Sequence, residues 1–253
     1  VIDDGDVHKI KMEVKDANGN TSIVQFDIKQ SGKFTEKQNK DSTTYFQQRS
    51  FHPGFVNLFE NANISFYLPE NSLYDSIRFQ YKEIYPTTGN TIYQLHNTSV
   101  PLQTYFPVTI KAATDQPDKM VMHRFANGKD DYKKAEPVIN GKETGWYRAS
   151  FREFGSFQLM VDNEPPVITP IGFSDGMNCS KQSRIVFVVK DNTEDLKSFT
   201  ALLNGNWLRF SNDKGSRFIY EFDDKCPAGE HELKIIAEDM VGNITEKNYR
   251  FTR

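Results

Sequence analysis

The stretch "HELKIIAEDMVGN" at residues 231–243 decides the fold, because "HKIKMEVKDANGN" at residues 8–20 repeats its pattern without a gap. His8 matches His231, Lys11 matches Lys234, Asp16 matches Asp239, and Gly19-Asn20 matches Gly242-Asn243. In the later copy His231, Leu233, Ile235 and Ala237 alternate with Glu232, Lys234, Ile236 and Glu238. In the earlier copy His8, Ile10, Met12 and Val14 alternate with Lys9, Lys11, Glu13 and Lys15. A period of two with one mostly apolar face marks a strand half-buried on a sheet. Each copy then turns through Asp-x-x-Gly-Asn and continues as a second strand, "TSIVQFDI" (21–28) or "ITEKNYRF" (244–251). Glycine supplies a positive φ for the tight turn, and Asp or Asn can bond the turn's backbone. The repeat therefore predicts two β-hairpins. It gives Asp16, Gly19, Asn20, Asp239, Gly242 and Asn243 a turn-stabilising role.

Working outward from the later copy, "RIVFVVKD" (184–191) reads as a buried strand and "SRFIYEF" (216–222) as another. "FTALLNGNWLRF" (199–210) is a hairpin around Asn204-Gly205, a dipeptide suited to a primed turn. Short strands with turn signals between them predict an antiparallel sandwich, so residues 164–253 read as one immunoglobulin-like module. Residues 1–30 then read as the last hairpin of an earlier, truncated copy. Between them, residues 31–163 carry strand-like runs such as "ISFYLP" (64–69), "SIRFQYKEIY" (76–85), "FPVTIKA" (106–112) and "SFQLMVD" (156–162). This middle segment is expected to be a second β-sandwich. Its polar start, residues 33–50, reads as loop or edge structure, and "GKDDYKKAEP" (128–137) as a solvated turn. "DNEPPVITP" (162–170) reads as a stiff, extended boundary. The fold class is all-β: consecutive antiparallel β-sandwich modules, the last immunoglobulin-like.

The bulk numbers agree. Of 253 residues, 37% are hydrophobic and 13% aromatic, mostly Phe (20) and Tyr (11), enough for packed β cores. A formal charge of −3 offers no basic surplus for phosphates, which argues against nucleic acid. The longest clear apolar runs, such as "IVFVV" (185–189), are far too short to span a bilayer as a helix. The chain opens on "VIDDGDVHKI" without a Met, so a piece of a longer parent is expected.

The last module resembles the immunoglobulin-like repeats of bacterial surface and envelope proteins. The resemblance lies in the leading Pro165-Pro166 and in the exit from Asp239 to Asn243. The order of segments is more specific: an Ig-like tail, "ISFYLPENSLYDSIRFQY", "YQLHNTSVPLQTYFPVTIKA", "FREFGSFQLMVDNEPPVI", then a last Ig-like domain. This is similar to the region downstream of the catalytic domain in lysostaphin-type zinc metallopeptidases of Gram-negative bacteria. The middle part also resembles ZU-type sandwich domains through "YLPENSLYD" and "FPVTI". The peptidase resemblance implies an exported protein: periplasmic, outer-membrane-associated or extracellular. It implies as partners an upstream domain of the same parent and peptidoglycan or another envelope protein. That family's zinc site needs His-x-x-x-Asp and His-x-His. Four residues after the five histidines stand Met12, Val56, Val100, Asn127 and Ile235, and two residues after them Ile10, Gly54, Thr98, Phe125 and Leu233. Neither motif exists here, so no catalytic, metal or cofactor residue is expected in this chain.

The remaining candidates have bland readings beside the functional ones. His8 and His231 fit packed or backbone-bonded positions at a sandwich end. Asp16 and Asp239 suit turn stabilisation, with calcium as the functional alternative. Cys179 and Cys226 precede strands entering the same end of the last sandwich, leaving a disulfide or two buried thiols. A bridge would add about 4 kcal/mol in the chain-entropy account. Trp146 and Trp207 are candidates for stacking on a ligand such as a sugar, against ordinary packing. The expected function is non-catalytic: structural or binding modules positioning an upstream peptidoglycan endopeptidase. The alternative is a carbohydrate-binding or adhesive surface module.

Overall fold

The computed structural model describes residues 6–29, 44–138, 145–212 and 215–253, and the chain divides into two units, Val1–Lys40 and Asp41–Arg253. The first unit is one hairpin, β1 (Val7–Lys15) against β2 (Thr21–Lys29). Its apolar residues Met12, Val14, Ile23, Val24 and Phe26 are all exposed. Of the expected loop or edge structure over 33–50, residues 33–43 lie outside the described residues, as does the boundary at residues 30 and 31, and residues 44–50 belong to an edge strand.

The second unit holds two sandwiches. The middle one begins with β3 (Thr44–Phe51), β4 (Asn57–Glu60), β5 (Ile64–Leu68), β6 (Ile77–Ile84), β7 (Ile92–Leu95) and β8 (Pro101–Lys111). It continues with β9 (Met120–Ala126), β10 (Lys129–Lys134), β11 (Glu136–Pro137), β12 (Trp146–Glu153) and β13 (Gly155–Val161). They form a six-stranded sheet, β10-β9-β13-β7-β6-β3, and a five-stranded sheet, β11-β12-β8-β5-β4. Alternation in β5 turns Ile64, Phe66 and Leu68 inward and Tyr67 outward. The inward side chains join a core rich in Phe, in which Phe51 stacks on Phe79 at 4.6 Å and Phe59 meets Tyr81 at 4.6 Å. Such offset ring pairs stabilise beyond the area they bury. One carboxylate is enclosed here. Glu83 accepts hydrogen bonds from Asn61 Nδ2 at 2.8 Å, Tyr81 OH at 2.6 Å and Tyr85 OH. Burial is the main cause that pushes the Tyr93 hydroxyl beside it up to about 12.

The last sandwich comprises β14 (Val167–Ile171), β15 (Met177–Asn178), β16 (Arg184–Lys190), β17 (Leu196–Leu203) and β18 (Asn206–Trp207). It is completed by β19 (Ser211–Asn212), β20 (Arg217–Glu221), β21 (Glu230–Asp239) and β22 (Ile244–Thr252). Its sheets run β14-β16-β20-β19 and β15-β22-β21-β17-β18, with β15 parallel to β22. Phe187, Ile235, Leu233 and Phe251 meet between them in a core separate from that of the middle sandwich. The expected turn at Asn204-Gly205 is there, with both residues at positive φ, 50° and 82°.

One sequence reading is corrected. Lys129–Lys134 is not a turn but an edge strand paired with β9, and the turn is confined to Asn127-Gly128, again at positive φ.

Candidate functional site

The two Asp-x-x-Gly-Asn turns are the same object. β1 pairs with β2 from Val7↔Lys29 to Lys15↔Thr21, and β21 with β22 from Glu230↔Thr252 to Glu238↔Ile244. Asp16 Oδ1 accepts from Asn18 N at 2.9 Å and Asn20 N at 2.8 Å; Asp239 Oδ1 accepts from Val241 N at 2.9 Å and Asn243 N at 2.8 Å. Asn20 Nδ2 donates to Asp16 Oδ2 at 2.7 Å, and Asn243 Nδ2 to Asp239 Oδ2 at 2.6 Å. Gly19 and Gly242 share the left-handed conformation, at φ 85° and 84°.

The surroundings differ. Asp16 is exposed, whereas Asp239 is fully buried, because its turn is docked on the end of the middle sandwich. The Asn243 amide makes the joint. Its oxygen accepts from Lys119 Nζ at 2.6 Å, and its nitrogen donates to the carbonyl of Asp162 at 3.0 Å. Lys119 Nζ also donates to the Val241 carbonyl at 3.1 Å. Asp162 N donates to the Lys119 carbonyl at 2.9 Å, and Thr245 Oγ1 to the Pro166 carbonyl at 2.5 Å. A Lys133–Asp195 pair at 3.9 Å adds a weak ion pair between the sandwiches.

Behind this clamp, Asp162, Asp191 and Asp239 each bring a carboxylate oxygen within 4.8 Å of the others'. They are the only such group among the described residues, and so the residues that could hold a metal. Asp162 follows β13, Asp191 follows β16 and Asp239 ends β21. Asp162 is 1% exposed and Asp239 0%, while Asp191 is half-buried. Asp162 Oδ1 accepts from Glu164 N at 3.1 Å and Asn192 Nδ2 at 3.0 Å. Asp191 Oδ2 accepts from Thr193 N at 2.9 Å and Thr193 Oγ1 at 2.5 Å. Asp191 Oδ1 is shut off from solvent and receives no hydrogen bond. Burial, reinforced by the charges of Asp162 and Asp239, raises the Asp191 carboxyl above the usual range, against the pull of the Thr193 bonds.

The other expected residues do not assemble into a site. His231 is buried, its Nε2 on the Pro227 carbonyl at 2.7 Å and its Nδ1 against Asn204 Nδ2 at 3.0 Å, as a packed histidine should be. His8 is partly buried on β1. Trp146 is half-buried with Lys111 Nζ 5.5 Å above its ring, and Trp207 is 62% exposed on the other sandwich. Of the two arrangements open to Cys179 and Cys226, the structure has the thiols: both are free, fully buried and in one core cluster. Burial raises both thiols, which disfavours the thiolate that disulfide formation needs. Asp162 and Asp191 went unread as site residues. Their signal was the Asp/Asn-rich ends "VDNE" and "KDNTED" of strands that reach the same joint.

Residues 48–162, the greater part of the middle sandwich, match the family described as Zu5-like domain. No curated protein matches the chain. Solved structures resemble it only distantly. The endo-β-1,4-mannanase from Thermotoga petrophila has TM-score 0.31 and 16% identity, covering 36% of this chain and 20% of that one. The fibronectin(III)-like modules of CbhA from Clostridium thermocellum have TM-score 0.29 and 14% identity, covering 59% and 85%. A polysaccharide lyase has TM-score 0.25 and 12% identity, covering 94% and 38%. The chain thus spans a fifth of the mannanase and well under half of the lyase. At these scores none of the three bears on what this chain does.

Proposed function

We propose that this chain is a non-catalytic pair of β-sandwich modules, led by the closing hairpin of a third, that holds another domain at a fixed place in an exported envelope protein. The observation that carries this reading is the joint. The Lys119 ammonium and the Asn243 amide bind the two sandwiches, Lys119 through Asn243 Oδ1 and the Val241 carbonyl and Asn243 through the Asp162 carbonyl. A passive tether would need no such clamp. The likeness to the region downstream of lysostaphin-type peptidases supplies the domain to be positioned, a peptidoglycan endopeptidase, and the location outside the inner membrane. The test is a peptidoglycan digestion with the chain alone and with its longer parent. The parent should release soluble fragments and the chain alone none; release by the chain alone would overturn the reading.

A second reading has one observation behind it. The outer face of the five-stranded sheet exposes Tyr67 (45%) and Tyr105 (63%), with Leu58 opposite Tyr67. Flat aromatic faces on a rigid sheet suit the C–H face of a sugar ring. A glycan pull-down lost on Tyr67→Ala and Tyr105→Ala, but kept on Trp207→Ala, would favour it.

A further inference from the structure

We propose that the Lys119 side chain and the Asn243 carboxamide condense into a covalent amide that crosslinks the two sandwiches, with loss of ammonia. The crosslink rests on the joint that carries the function proposed above, and it adds a modification site to that joint.

The first observation is approach. Lys119 Nζ stands 2.6 Å from Asn243 Oδ1. The amide carbon is one carbonyl bond beyond that oxygen, so Nζ lies within about 3.8 Å of Cγ. Reacting atoms in a near-attack arrangement stand about 3–3.5 Å apart, and the terminal torsion of Asn is soft enough to close the remainder.

The second observation is how firmly both partners are held. Asn243 Nδ2 donates to Asp239 Oδ2 at 2.6 Å and to the Asp162 carbonyl at 3.0 Å, which leaves Oδ1 facing the lysine. Turned over, the amide would set its NH2 against an ammonium and its oxygen against a carboxylate, so this orientation is fixed by its neighbours. Both backbones are anchored as well. Asp162 N donates to the Lys119 carbonyl at 2.9 Å, and Asn243 N to Asp239 Oδ1 at 2.8 Å. Groups oriented in this way react as if at very high concentration.

The third observation comes from the twin turn. Asn20 makes the same bonds to Asp16, at 2.8 Å and 2.7 Å, with no lysine on its amide among the described residues. The turn itself therefore does not need Lys119, whose ammonium is an addition particular to the joint.

The chemistry needs no co-reactant. Lys119 yields one ammonium proton to solvent, and its freed lone pair attacks Cγ of Asn243. The Cγ–Nζ bond forms as the carbonyl π pair moves onto Oδ1. The attacking nitrogen then sheds a second proton, and Nδ2 takes one up through Asp239 Oδ2, which already holds it. The pair on Oδ1 falls back, the Cγ–Nδ2 bond breaks, and ammonia leaves and is protonated. A lysine ammonium and a primary amide become a secondary amide and an ammonium ion. Nothing is oxidised or reduced.

The experiment is intact-mass spectrometry of the whole chain after prolonged incubation at mildly alkaline pH, followed by tryptic mapping. The chain should be lighter by one ammonia, trypsin should no longer cut after Lys119, and a branched peptide should join the Lys119 and Asn243 segments. Lys119→Arg keeps a cationic donor for Asn243 but has no nucleophilic amine; it should retain the full mass and give no branched peptide. If that variant does not fold, Lys119→Met is used in its place with the same result expected. A chain of full mass with both linear peptides present would overturn the proposal. So would a lost ammonia that survives the Lys119 substitution and maps to an Asn-Gly step such as Asn18-Gly19, where a cyclic imide also forms by losing ammonia. Full mass in a chain whose two sandwiches still tumble together would sink the crosslink and leave the positioning role standing.

Discussion

Asp16 and Asp239 make the same hydrogen bonds, yet burial makes them unequal. Around Asp239 the turn's N–H groups have no water to fall back on. Asp239→Ala should destabilise the last sandwich by about 2–4 kcal/mol, since several buried donors lose their acceptor at once. Asp16→Ala should leave that transition untouched; urea melts followed by the fluorescence of Trp207 would check both. The hydrogen bond from the Asn20 side chain is the chief cause that holds the Asp16 carboxyl below the usual range. Its contribution is therefore present above the ordinary carboxylate value and lost as pH falls through the lowered one. Asp191 has the opposite sign. Its raised pKa means the folded state holds the proton more tightly than the unfolded chain does. Its contribution is favourable below the ordinary value and fades as pH rises through the raised one. Asp191→Asn should accordingly gain stability over the parent at neutral pH and lose that gain in acid, as measured by melts across pH. The residues of the turns were legible because one motif occurs twice. Asp162 and Asp191 were not, because no local pattern tells which strand ends share a joint.

At the scale of elements, alternation made most strands readable. β5, β6, β13 and β21 each show it plainly, since one of their faces is buried in a core. Several strands escaped, β4 and β10 among them. β4 has only four residues, too few for a period to declare itself. β10 reads "KDDYKK" and pairs on one side alone, and the charges that protect such an edge from unwanted pairing also make it look like a loop. The turns give a cleaner prediction. Gly205 sits at φ 82° with nothing within 4 Å of where a Cβ would stand. Gly205→Ala meets no clash, so its cost is that of the left-handed backbone alone, about 1–2 kcal/mol. Differential scanning calorimetry of the last sandwich should register it as a lowered melting temperature with an unchanged fold.

On the scale of the whole second unit, the two cores are separate and the joint between them is polar. Asn243→Ala removes the acceptor for Lys119 and the donors to the Asp162 and Glu164 carbonyls. Both sandwiches should stay folded while their relative tumbling becomes independent. NMR relaxation would detect it as a shorter correlation time for each half, and an unchanged correlation time would count against the clamp. Such cross-module contacts were beyond the reach of sequence, which showed only a proline-rich boundary.

The path of the chain through the last sandwich bears on pulling force. The backbone enters at Val167, where Thr245 at the start of β22 grips the Pro166 carbonyl, and it leaves at Arg253, beside Gly229 at the opposite end. Tension applied along the molecule therefore loads β22 lengthwise against β21, in shear, so that the rungs from Glu238↔Ile244 to Glu230↔Thr252 resist together rather than opening one by one like a zip. A module held at its two ends in this way would stretch little before it yields.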